Sequence, residues 1–137
     1  MNEEKLRELL QALKDGKTDL ESVLENLRSL PYEDLGFARV DHHRALRRGF
    51  PEVIFGEGKS GGQIAKIMKA MIAQGSNVLV TRVDADKAKE VQKQIKTAVH
   101  DDVSRTLRVK EQEISEQGKG LVLVLAAGTS DIPVAEE

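Results

Sequence analysis

The sequence has no cysteine and no tryptophan, and its 137 residues include one tyrosine, three phenylalanines and three prolines. Without cysteine, disulfides, thiolate metal sites and a thiol nucleophile are all excluded. With Tyr32, Phe37, Phe50 and Phe55 as the whole aromatic complement, any core must be aliphatic. Positive charge is not in excess either: 21 Lys and Arg face 23 Asp and Glu, a formal net charge of −2. No global field therefore gathers nucleic acid or an anionic membrane. No run approaches the roughly 18 apolar residues of a membrane span, and the charged N-terminus lacks the apolar core of a signal peptide. These absences point to a cytoplasmic protein with no nucleic-acid or membrane partner, and the length suits roughly one domain.

Charge is distributed unevenly. Residues 1–35 carry five basic and nine acidic side chains, whereas 36–50 carry Arg39, Arg44, Arg47 and Arg48 against Asp41 alone. The chain opens with two helical stripes. Leu6, Leu9, Leu10 and Leu13 define a helix over 3–15 that Gly16 ends, and Thr18 with Glu21 makes a capping box for a second helix carrying Leu20, Val23, Leu24 and Leu27. Pro31 stops it. Each stripe needs a partner, so residues 1–34 are expected to form a helical hairpin, serving as a cap or an oligomer contact.

From Leu35 the periodicity changes. Gly36 to Asp41 alternates as a strand would, and Glu52 to Phe55 is a second short strand. Ser60, with Gln63 closing the box, caps a helix over 61–74 that Gly75 ends. Val78 to Val83 is a strand, Asp84 caps a further helix with Ala88, Val91 and Ile95 inward, and 103–109 alternates again. Residues 35–112 thus read as a small mixed α/β domain, and 113–119 as a polar linker. Next comes Leu121-Val-Leu-Val-Leu-Ala-Ala, apolar without alternation, which signals a central parallel strand covered on both faces. Only a short stretch follows it, too short to supply its neighbours. The fold class is therefore α/β (α+β): a hairpin, a small mixed domain, and the first strand of a parallel α/β domain in 120–137.

Three segments carry chemistry. Gly128-Thr129-Ser130-Asp131-Ile-Pro follows the apolar strand and precedes a helix start, with Ser130 or Asp131 as cap and Pro133 in the first turn. Such a turn at the carboxyl end of a strand suits a phosphate, and equally an ordinary well-capped turn. Gly56-Glu-Gly-Lys59-Ser-Gly-Gly62 also joins a strand to a helix, but lacks the G-x-x-x-x-G frame of a Walker loop. It either holds a phosphate or carboxylate through Lys59 or is a flexible loop with a solvated lysine. Arg44, Arg47 and Arg48 line one side of a helical turn, fit for bidentate contact with an oxyanion or simply solvated. The adjacent His42 and His43 cannot share a face, and His100-Asp101-Asp102 reads as a turn, so no metal site is expected.

Taken together, Asp41…Arg44…Arg48-Gly-Phe-Pro-Glu-Val-Ile-Phe-Gly-Glu-Gly-Lys59 and Leu123-Val-Leu-Ala-Ala-Gly128-Thr-Ser-Asp131-Ile-Pro-Val-Ala-Glu-Glu137 resemble a known family. It is the nickel-pincer cofactor biosynthesis protein B family, also described as phosphoribosylaminoimidazole carboxylase-related or circadian phase modifier. The resemblance implies a pyridinium-3,5-biscarboxylic acid mononucleotide synthase. That enzyme carboxylates the pyridinium ring of nicotinic acid adenine dinucleotide and cleaves its phosphoanhydride to release AMP. It implies a small-molecule dinucleotide substrate and carbon dioxide or bicarbonate as co-substrate. It implies no tightly bound cofactor, leaves room for magnesium, and points to a homo-oligomer. Residues 120–137 would begin an aminoimidazole ribonucleotide carboxylase-like domain. Gly128, Thr129, Ser130 and Asp131 would grip phosphate, and Lys59, Arg44 and Arg48 would meet the substrate's carboxylate or pyrophosphate. The family's catalytic cysteine lies further downstream and this chain has none, so the resemblance predicts an inactive N-terminal fragment with no catalytic residue of its own. The alternatives are a non-catalytic regulatory module and a nucleotide-binding protein completed by self-association.

Overall fold

The computed structural model describes residues 3–28, 32–42, 44, 50, 52–114 and 118–137. Helices α1 (Glu3–Lys14) and α2 (Leu20–Arg28) precede a two-stranded hairpin, β1 (Glu33–Asp34) and β2 (Arg39–Val40). The main unit follows as β3 (Val53–Phe55), α3 (Gly61–Ala73), β4 (Val78–Thr81), α4 (Ala85–Gln94), β5 (Val99–Asp101) and β6 (Thr106–Val109), and a last short helix, α5, spans Ile132–Glu136. The four-stranded sheet has the order β3-β4-β6-β5, with β3 parallel to β4 and β6 antiparallel to both its neighbours. This mixed α/β architecture is the class the sequence pattern implies.

Period-two alternation sorts the sheet into two faces. Ile54, Val80 and Leu107 lie in one cross-strand row, with Val78 and Val109 in the next, and all five are buried. α3 and α4 cover this face with Ile64, Ala65, Met68, Met71, Ala88 and Val91. The other face carries Val53, Phe55 and Val99, all exposed, beside Arg108. The domain is therefore two layers, with the helices on one side of the sheet and Val53, Phe55 and Val99 exposed on the other. As the low aromatic content requires, the core is entirely aliphatic and thioether.

Several local signals act as the sequence indicates. Both α1 and α3 end in the paired bonds of a Schellman turn: Gly16 N–H to Leu13 O with Lys17 N–H to Ala12 O, and Gly75 N–H to Ile72 O with Ser76 N–H to Met71 O. The glycines sit at φ +69° and +66°, where a side chain would be strained. Ser60 and Gln63 form the full reciprocal capping box of α3. Lys5 on α1 reaches the carbonyl of Gln74, fastening the first helix to the negative end of α3.

Other expectations are corrected. The cap of α2 is Asp19, not Thr18: the Asp19 carboxylate accepts from Ser22 N–H at 2.7 Å, and this bond holds its pKa below the usual aspartate value. A carboxylate at a helix start outcompetes a threonine hydroxyl one residue earlier. Residues 36–41 are not one strand. Gly36, at φ +83°, turns the chain, and its N–H bonds to the Asp34 carboxylate. The pairing is instead the β1–β2 hairpin, with Glu33 opposite Val40. β4 ends at Thr81 because Arg82 leaves the extended region, and of His100-Asp101-Asp102, expected as a turn, the first two lie in the edge strand β5 and the turn begins at Asp102. Residues 121–127 join no sheet and are exposed, with Leu121 at 93% and Val124 at 64%. No described residue pairs with the segment expected as a strand covered on both faces. The stop expected at Pro31 lies outside the described residues. Among the described residues no helix is long and apolar enough to cross a membrane.

Asn77 ties the start of β4 to the chain that leaves β6. Its Oδ1 accepts from Glu111 N–H at 2.7 Å and Gln112 N–H at 2.8 Å, and its Nδ2 donates to Gln112 O at 2.9 Å. Gln112 Nε2 returns a bond to Gly75 O. Replacing Asn77 with Ala strands two amides and a carbonyl, and at a net value near 1 kcal/mol per bond it should lower stability by about 3 kcal/mol in urea unfolding. Asn77→Asp, which keeps the two accepted bonds, should lose less.

Candidate functional site

β3, β4 and β5 run in one direction, because β3 is parallel to β4 and both β4 and β5 are antiparallel to β6. Their carboxyl ends therefore share one edge with the start of β6. In open α/β sheets this is the edge where ligands bind. Three connections meet there: Gly56 to Ser60, Arg82 to Asp84, and Asp102 to Arg105.

The first connection is pulled onto the second. Gly56 N–H bonds to Thr81 O at 2.8 Å, extending the parallel ladder past both strands. A Cβ on Gly56 would stand 2.7 Å from Thr81 O, 2.9 Å from Val83 Cγ2 and 3.3 Å from Arg82 O, so only glycine fits. The glycine-rich composition thus serves backbone packing. Lys59 is half-buried, and its ammonium folds back to donate to Phe55 O at 2.7 Å, on the strand it has just left.

Arg82 and Arg105 are the two non-glycine residues at positive φ among those described, +56° and +53°. They flank the end of the β4–β6 pair, where Val83 N–H donates to Arg105 O at 2.8 Å. A left-handed backbone costs an ordinary residue about 1–2 kcal/mol. Arg82 Nε is buried and lies 2.6 Å from Glu137 Oε2, an ion pair without the angle of a hydrogen bond. Arg105 is exposed and has no ion-pair partner among the described residues. The acids nearby are engaged elsewhere. Asp84 caps α4 by accepting from Lys87 N–H, and Asp101 accepts from Val103 N–H, Ser104 N–H and Ser104 Oγ. The pKa of Asp84 is lowered first by the Lys87 amide, and that of Asp101 by the Ser104 amide. Ser104 and Thr106, both buried, share a hydroxyl bond of 2.8 Å. His100 Nε2 meets Val83 O at 3.2 Å, and its Nδ1 lies 3.3 Å from Asp102.

The other expected residues lie apart from this edge or outside the described set. Arg44 is on the chain before β3, its guanidinium 5.2 Å from the Phe50 ring centre and its buried Nε without a hydrogen-bond partner. No described contact joins it to Lys59, on the far side of β3. Its neighbour His42 is 2% exposed at its side chain and pairs with Glu33 Oε2 at 2.9 Å, a structural role. Arg48, Arg47 and His43 lie outside the described residues. Gly128 to Asp131 form a turn closed by Asp131 N–H to Gly128 O at 3.0 Å, leading into α5. Asp131 takes the cap position without a side-chain capping bond, Pro133 stands in the first turn, and Thr129, Ser130 and Asp131 are exposed. Among the described residues no group of three or more His, Asp or Glu side chains comes together to hold a metal ion.

Sequence reasoning missed Arg82 and Arg105. The available signal was slight: a strand in Val78-Leu-Val-Thr followed by a cap at Asp84 leaves Arg82 and Val83 to make the turn, but arginine does not announce a left-handed backbone.

Two outcomes test this geometry. Gly56→Ala forces a side chain into backbone atoms and should destabilise by about 1–3 kcal/mol, as overpacking does, measured by denaturant unfolding. The lowered pKa values of Asp84 and Asp101 mean the unfolded chain binds those protons more readily. Their contribution is therefore complete above about pH 4, the ordinary aspartate range, and is lost as pH falls through the lower folded values. Replacing both with Asn should flatten the acid limb of a plot of melting temperature against pH while leaving its shape near neutrality unchanged.

The LarB/PurE-like N-terminal domain matches residues 32–112 of the chain, which contain the whole edge apart from Glu137. An uncharacterized protein of Methanocaldococcus jannaschii is 32% identical over 138 aligned residues, covering 96% of this chain and 54% of that protein. The chain thus spans about half the length of the curated relative it matches.

Proposed function

This chain belongs to the LarB/PurE-like N-terminal domain family, a carboxylase-related family, and from that premise we propose that it is the substrate-gathering part of a pyridinium-3,5-biscarboxylic acid mononucleotide synthase. The reaction adds a carboxyl carbon from carbon dioxide or bicarbonate to the pyridinium ring of nicotinic acid adenine dinucleotide. It also hydrolyses the phosphoanhydride, releasing AMP. The observation that carries the reading is the pairing of a family-matched domain, residues 32–112, with the exposed Gly128-Thr-Ser-Asp131 turn in the same chain.

In this reading the turn holds the nucleotide phosphate. Gly128 lets the backbone approach it, Thr129 and Ser130 present hydroxyls, and the Asp131 carboxylate, unused in capping, accepts a hydroxyl proton of the ribose. Lys59 supplies a cation for the substrate's carboxylate or pyrophosphate once it exchanges the Phe55 carbonyl for the stronger, charged acceptor. Arg44, with an unsatisfied buried Nε, and Arg48 are further cationic contacts on the chain entering β3. The chain binds and orients but does not supply the nucleophile. It has no thiol, and Ser130 Oγ meets only Asp131 Oδ1 at 3.5 Å, outside the reach of about 2.6–3.2 Å that proton transfer needs. The protein is cytoplasmic in this reading, its partners are the dinucleotide and further copies of itself, and magnesium, if used, arrives with the substrate's phosphates.

The chain should bind nicotinic acid adenine dinucleotide in calorimetry and release no AMP when bicarbonate is present. Turnover by the chain alone would refute its lack of a nucleophile, and failure to bind would refute the substrate assignment. Lys59→Ala should weaken binding roughly tenfold, the loss of one charge-assisted contact.

A further inference from the structure

We propose that Arg82, with Arg105 across the strand pair, is an oxyanion-binding site at the carboxyl edge of the sheet, and that the Glu137 carboxylate occupies it as an internal competitor. The site does not include the Gly128 turn, and Lys59 contributes to it only as a nearby charge. Its assignment to the substrate's pyrophosphate or carboxylate rests on the function proposed above, but the site itself does not.

Three observations converge. First, the residue that follows β4 and the residue that precedes β6 are both arginines held in the left-handed conformation, where glycine or asparagine would be less strained. The Val83–Arg105 backbone bond and the Gly56–Thr81 bond hold the backbone on both sides of Arg82. Nothing about the turn demands arginine, so the side chains are what this placement serves. Second, the edge already holds an anion. Glu137, its side chain 21% exposed, has brought a carboxylate to 2.6 Å from Arg82 Nε across 55 residues of sequence. Third, that contact is incomplete. It touches one nitrogen, and Nε finds no hydrogen-bond partner despite its burial. A guanidinium is a planar fork suited to two oxygens, so a phosphate or carboxylate that engages it with two parallel bonds displaces the single-point contact.

The surrounding charge is mixed, and the two signs differ in how they are engaged. Arg105 carries a free positive charge, Lys59 lies on the loop that Gly56 presses against Arg82, and Lys87 sits in the first turn of α4. On the acidic side, Asp84 is bound to the Lys87 amide and approaches its ammonium, Asp101 is bound to the 103–104 amides, and Asp102 faces His100. Glu57 is exposed on the first loop. Glu137 is then the carboxylate paired with Arg82, and removing it leaves that guanidinium without an ion-pair partner among the described residues.

The probe is inorganic pyrophosphate, titrated into the 137-residue chain at constant ionic strength and followed by backbone amide NMR shifts of residues 56–60, 82–84 and 102–105, with nicotinic acid as a carboxylate-only arm. Saturable binding is expected. Arg82→Gln should weaken it about tenfold or more, Arg105→Gln by less, and Glu137→Gln should tighten it severalfold by removing the competitor. Should Arg82→Gln fail to fold, Arg82→Lys, which keeps the charge and loses the fork, should bind several times more weakly than wild type. Preference for pyrophosphate identifies the site with a phosphate group, and preference for nicotinic acid with a carboxylate. Unsaturable shifts, unchanged affinity in the Arg82 variants, or unchanged affinity in Glu137→Gln would overturn the proposal. Pyrophosphate held through Arg82 in a chain that ignores the dinucleotide would leave this site standing and remove the proposed substrate. Dinucleotide binding indifferent to Arg82 would do the reverse.

Discussion

The close approach of Gly56 to the end of β4 is the constraint on which the candidate site depends. A 2.8 Å bond from its amide to Thr81 O brings the loop leaving β3 against the backbone of Thr81 and Arg82, with no room for a Cβ between them. From that contact the rest follows in order. The loop turns at Gly58, Ser60 caps α3, and α3 lays Ile64, Met68 and Met71 over Ile54 and Val80. On the other side Arg82 is held out of the extended region, and Asp84 begins α4 two residues later. The same few ångströms thus fix the hydrophobic layer and the charge at the sheet edge. A change there would register in stability and in anion binding at once.

The edge carries both charges, and its aspartates are held against backbone amides while its arginines are not. Asp84 and Asp101 each accept from main-chain N–H groups, and that use lowers their pKa values. An aspartate fixed in a cap offers its field mainly to the helix it starts. Arg82 and Arg105 remain, one meeting Glu137 at a single nitrogen and the other exposed. The division of labour is local: acids make the turns and bases face outward.

Most of the helical framework was legible in the sequence because its signals are short-range. Ser60 with Gln63, Asp84, and the glycines at 16 and 75 each act within four residues of themselves, and each behaves in the structure as the pattern indicates. Strand assignments were weaker, since a strand of two or three residues exists only through its partner. Glu33–Asp34 carries no apolar alternation and forms a strand only because Arg39–Val40 returns beside it, and Val99–Asp101 pairs as an edge against Thr106–Val109. Thr18 lost the cap of α2 to Asp19, a competition one residue wide. Within the site, Lys59 was visible through its glycines, whereas Arg82 and Arg105 were not. Their significance lies in a backbone conformation imposed by β4–β6 pairing, which no neighbouring residue encodes.

The bare run Leu121-Val-Leu-Val-Leu125 has a consequence for how this chain behaves in bulk. Five consecutive apolar residues, uncharged, free of proline and exposed, join no sheet among the described residues and offer main-chain groups to a further strand. Such a segment is a template for intermolecular cross-β stacking, and stacking is driven by concentration while folding is not. In a dilute sample the folded α/β unit sets the solution behaviour. At high concentration such a run is available for cross-β association, and Lys119 on its flank is the nearest charged residue.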